Sequence, residues 1–90
     1  PMAYRPQDLS ALSYANGFTL WHYRSTDSAA EIDTSGYFNA AARMLRPGDF
    51  ILCNCAIGSA PANGVLIVAS NDGTTVDVTN LSPLGVLNSD

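Results

Sequence analysis

Apolar and polar positions alternate most clearly over Phe18-Thr19-Leu20-Trp21-His22-Tyr23-Arg24. The run predicts a strand, because aromatic and β-branched side chains suit a pleated, half-buried surface. A period of two sets Phe18, Leu20, His22 and Arg24 on one face and Thr19, Trp21 and Tyr23 on the other. Both faces carry apolar bulk. One can meet the core, which leaves the other in need of cover. Phe50 to Cys55 is apolar apart from Asn54 and reads as a strand buried on both sides, and Val65 to Ala69 reads the same way. Asn71-Asp72-Gly73 turns the chain into Thr74 to Thr79, where Val76 and Val78 share a face, so these three strands predict an antiparallel meander.

Between the first two strands, residues 25–35 are small and polar and read as a surface loop. A short helix is predicted over about 37–45. Ala40, Ala41 and Ala42 favour it, Phe38, Ala41, Ala42 and Leu45 make an apolar stripe, Thr34 or Ser35 can cap it, and Pro47-Gly48 ends it. Residues 1–16 predict an extended N-terminal arm ending in a turn at Asn16-Gly17, and residues 81–90 an irregular tail. The expectation is one domain over 1–90 with its body at 17–80. Its class is α+β and β-rich: a small, twisted, partly open antiparallel β-barrel or sandwich with one short helix. Pro1 ahead of Met2 reads as a remnant of tag cleavage, and no secretion signal is expected. No apolar run reaches the roughly 18 residues of a membrane-spanning helix.

Composition changes the picture at one point. Charged residues make up 13% of the chain, against about 25% in an ordinary domain. Lysine is absent, and the basic residues are Arg5, Arg24, Arg43 and Arg46. A surface so poor in charge is expected to be partly covered by a partner, although a GC-rich genome would also favour arginine over lysine. The net charge of −4 argues against a phosphate-binding surface, so neither nucleic acid nor membrane is an expected partner.

Candidate chemistry is sparse. Cys53 and Cys55, around Asn54, are expected on opposite faces of their strand as unbridged thiols in a reducing compartment. His22, a cysteine and Asp49 could in principle form a nucleophilic site, but thiols inside an apolar strand are inert. Asp49, after Pro-Gly, is expected to organise its turn. Asp27, Glu31 and Asp33 lack the spacing of a calcium loop. No catalytic residue, metal or cofactor is therefore expected. The contact candidates are Leu9, Leu12 and Tyr14 on the arm, with Trp21, Tyr23 and Arg24 on the first strand, because aromatics and arginines dominate binding hot spots. Core packing is the alternative for Trp21, Tyr23, Tyr37 and Phe38. Two other functions stay open: a glycan- or small-ligand-binding module with Trp21 and Tyr23 as a stacking platform, and an inhibitor of a host protein.

Three stretches carry a resemblance: Gly17 to Asp27, Gly36-Tyr37-Phe38-Asn39, and Met44 to Ile51 with its Leu45-Arg46-Pro47-Gly48-Asp49 element. With a closing hairpin at Val65 to Thr79, they resemble small virion structural proteins of tailed phages and prophages, over residues 3 to 80. The resemblance implies a capsid-decorating or head-fibre-anchoring protein, made in the bacterial cytoplasm and located in the virion. Its implied partners are its own copies, a trimer being favoured, and a capsid or other virion protein. It brings no catalytic residues with it.

Overall fold

The computed structural model describes residues 3–89 and folds them around one mixed sheet. β1 (Leu9–Ala15) and β2 (Phe18–Arg24) form an antiparallel hairpin reversed at Asn16-Gly17. β3 (Phe50–Cys55) lies beside β2, and β4 (Ala62–Asn71) beside β3. β5 (Val76–Val78) and β6 (Ser82–Pro83) both pair with β4. The sheet order is β1-β2-β3-β4-β5.

The meander β3-β4-β5 is antiparallel as expected, but β2 and β3 run parallel. The length of the connection is the reason. Residues 25–49 separate the two strands, and parallel neighbours need a crossover of about a dozen residues or more. The sheet stays open, with β1 and β5 at its two ends. The expected antiparallel barrel or sandwich is thus corrected to an open, mixed, six-stranded sheet with little helix.

The crossover lies on one face of that sheet. It opens with a single helical turn, α1 (Ala29–Ile32), started by a reciprocal cap: Ser28 Oγ accepts from the Glu31 N–H at 3.2 Å and Glu31 Oε1 accepts from the Ser28 N–H at 2.9 Å. The helix expected over 37–45 is absent, and only a 3-10 turn at Asn39–Ala41 forms there. Tertiary bonds override the alanine propensity. Gly36 N–H donates to Val76 O at 2.9 Å, and Asn39 Oδ1 accepts from Val76 N–H at 2.9 Å. Tyr37 and Phe38, which would diverge by about 100° on a helix, both turn toward the sheet. Gly36-Tyr37-Phe38-Asn39 is therefore a structural element that closes the open edge of β5.

The core lies between sheet and crossover. Trp21, Tyr23, Ile51, Cys53, Leu66 and Val68 meet Ile32, Phe38, Ala41 and Leu45. Cys53 and Cys55 are two residues apart, so they share this inner face, which corrects the opposite-face expectation. Both are buried and free. The N-terminal arm is corrected as well. Its second half is the edge strand β1, and its first half is anchored: Ala3 N–H donates to Asp27 Oδ2 at 3.0 Å, Arg5 N–H donates to Tyr23 Oη at 3.1 Å, and Tyr4 stacks on Tyr23 with ring centroids 5.8 Å apart. The reading of Pro1-Met2 falls outside the described residues. In the tail, β6 gives part of 81–90 a place in the sheet. Gly64 permits this, because a Cβ there would run into the Ser82 carbonyl. Among the described residues, no helix is long and apolar enough to cross a membrane.

Candidate interaction surface

Alternation along the strands gives the sheet two unlike faces. On the inner face the polar groups of Asp49, Trp21, Tyr23 and Tyr37 are paired, whereas the buried Tyr4 hydroxyl has no hydrogen-bond partner among the described residues. Asp49 is 1% exposed, and its carboxylate accepts three N–H donors: Thr19 N at 3.1 Å, Trp21 Nε1 at 3.0 Å and Arg46 N at 3.1 Å. Local sequence delivers it there. Arg46-Pro47-Gly48-Asp49 is a tight turn with Gly48 at φ 92°, as Pro at the second and Gly at the third position favour, and it is closed by Asp49 N–H to Arg46 O at 3.0 Å. The expected turn role holds, and the same side chain also ties β2 to the start of β3.

A second inner network links tyrosines. Tyr37 Oη donates to Asp27 Oδ2 at 2.7 Å and lies 2.8 Å from Tyr23 Oη, which then donates to it. Burial pushes the Tyr37 phenol up from its ordinary pKa, helped by its Tyr23 and Asp27 hydrogen bonds. The thiols behave alike: burial raises Cys53, with Cys55 adding to the rise, and burial raises Cys55, whose Sγ donates to Ala62 O at 3.1 Å. His22 lies on the opposite side of the sheet from both thiols and from Asp49. Its Nε2 donates to Asn54 Oδ1 at 2.6 Å, and Asn54 Nδ2 in turn donates to Asn63 Oδ1 at 2.6 Å. The tested catalytic trio does not assemble. The loop carboxylates have separate structural tasks too, with Asp27 buried under the tyrosines and Glu31 capping α1.

The outer face is different in kind. Register places Leu20, Phe50 and Ile67 in one row across β2, β3 and β4, and His22, Leu52 and Val65 in the next. Phe18 packs edge-on against Phe50 with centroids 5.3 Å apart. None of these side chains belongs to the buried core cluster. Most are half-buried by one another, and Phe50 is 44% exposed. Polar, uncharged residues border the apolar rows: Ser10 and Ser13 on β1, and Asn54 and Asn63 at one end. Across β1 to β4 this face carries one formal charge, Arg24, at its corner. An apolar centre with a polar rim is the anatomy of a protein contact surface.

The six sequence candidates divide accordingly. Trp21 and Tyr23, 9% and 0% exposed, are core residues, a correction that follows from their bonds to Asp49 and Tyr37 on the crossover. Leu9 is half-buried against the core. Leu12 and Tyr14 are exposed, at 54% and 66%; Leu12 is the extra residue of a bulge in β1. Arg24 is exposed on the outer face. The residues missed are Phe18, Leu20, Phe50, Leu52, Val65 and Ile67. Their signal was present, since a strand apolar at consecutive positions must show apolar side chains on both faces. No protein-family model, curated protein or solved structure matches this chain.

Proposed function

We propose that this chain is a structural component of a larger assembly, acting through surface contacts. Following the sequence resemblance, the assembly is the virion of a tailed phage, and the role is decorating the capsid or anchoring a head fibre. The observation that carries the reading is the apolar, nearly uncharged outer face of the sheet, which the described residues leave without a covering layer. The paucity of charge and the absence of lysine agree with it. The glycan-platform reading loses its basis, because Trp21 and Tyr23 are enclosed and present no stacking surface.

The test is co-sedimentation of the purified chain with particles of the encoding phage that lack it. Saturable binding, lost on Phe50→Asp and kept on Met44→Asp, is the expected result; Met44 is 46% exposed but belongs to the crossover side. Failure to bind with the outer face intact would remove the virion role.

A further inference from the structure

We infer that the outer sheet face is covered by the same face of a second copy, two sheets packing face to face as a two-fold pair. The inference rests on the assembly reading and names its first partner. Three observations carry it.

The first is charge. A two-fold contact sets each surface against itself, so a face with several like charges repels its own copy. The chain as a whole has a net charge of −4, yet the face from β1 to β4 holds only Arg24, at a corner away from the Phe18–Phe50 pair. Self-apposition of this face therefore meets little repulsion.

The second is area. The molecule measures 43 × 31 × 21 Å. The short axis fits two layers about 10 Å thick each, the sheet and its crossover, so the broad outline belongs to the sheet face. An ellipse on the two long axes, which takes in β5 and the tail as well as β1 to β4, covers roughly 1,000 Å², against about 800 Å² per partner in a stable interface of ordinary size. Half of the face engaged would still give a weak pair.

The third is chemistry. The outer face offers interdigitating Leu20, Phe50, Leu52, Val65 and Ile67, the side chains that fill the space between aligned sheets about 10 Å apart. It offers no dense array of charge or unpaired donors for a polar ligand. His22, Asn54 and Asn63 on this face are already paired with one another, His22 from within the row that it shares with Leu52 and Val65. The pair differs from the trimer expected from the sequence.

Light scattering on a sizing column over a hundredfold concentration range tests this. Two 9.5 kDa chains, about 19 kDa, are expected, falling by half with Phe50→Asp or Ile67→Asp and unchanged with Met44→Asp. Shielding of Cys53 and Cys55 from a thiol reagent verifies that each variant is folded. A three-chain mass, or a two-chain mass abolished by Leu12→Asp and indifferent to Phe50→Asp, would overturn the face-to-face pair. A single-chain mass at every concentration would also overturn it. In that case, Phe50-dependent binding to particles leaves the assembly reading standing, and absence of binding removes both.

Discussion

β2 contains two chemistries one residue apart. Trp21 and Tyr23 on its inner side are fixed by directional bonds, to a carboxylate in one case and a phenol in the other. On its outer side Leu20 and His22 meet neighbours in the same sheet, and His22 hydrogen-bonds to Asn54 on β3. Hydrophobicity does not separate the two faces. The location of their polar partners does, because a buried indole N–H or phenol O–H is stabilised by a hydrogen bond, and the crossover supplies such partners on one side alone. On β2 the two aromatics whose polar atoms bond to the crossover, Trp21 and Tyr23, are therefore the core residues, while Phe18 and Leu20 lie on the contact face.

The largest effect that would break this comparison comes from Asp49. Asp49→Ala strips the acceptor from three donors and is expected to cost about 3–5 kcal/mol, much of the stability of a small domain, read as a lower urea midpoint with loss of the near-ultraviolet signal of Trp21. Next comes a matched pair of phenylalanines. Phe38→Ala on the inner side should cost about 3–4 kcal/mol, and Phe50→Ala, measured at dilution, less than about 1 kcal/mol. Equal costs would mean that the outer face is a second core.

Smaller and more local is Gly64→Ala, which must push the Ser82 backbone away from β4. About 1–3 kcal/mol is expected, with faster amide exchange at Leu84, whose N–H donates to Asn63 O. The mildest test is pH. The Tyr37 phenol and Cys53 thiol titrate above their ordinary values of 10.0 and 9.0 when folded, so the unfolded chain releases these protons first. Their contribution is intact below about pH 9 and declines as pH rises beyond it. Melting temperature should fall on that alkaline side, and Tyr37→Phe should flatten part of the slope. Both thiols should label with a thiol reagent only after unfolding.

Much of the sheet was legible. β2 and β3 follow directly from their aromatic and aliphatic runs, and Arg46-Pro47-Gly48-Asp49 announces its turn through residues of fixed conformational preference. β1 was not legible as a strand. Serine and alanine are weak strand formers, and the bulge at Leu12 breaks the alternation after Leu9 and Ala11, so pairing with β2 decides its state. The helix at 37–45 failed because propensity is worth tenths of a kcal/mol per residue, whereas Gly36, Tyr37 and Asn39 each answer to a distant partner. The contact surface was half legible. The need for cover could be read from β2, but the choice between its faces depended on Asp49 and Tyr37, 28 and 14 residues away from their partners.

The parallel join of β2 to β3 also fixes an order of events. β1–β2 and β3–β4 are hairpins whose ends meet over short turns, so each can form early. Their union must close a loop over residues 25–49, at an entropic cost about 2 kcal/mol above that of a two-residue turn. Asp49 waits at that seam, reaching from the second half to Thr19 and Trp21 of the first. The carboxylate thus works alongside the β2–β3 ladder and the shared core to join the two hairpins.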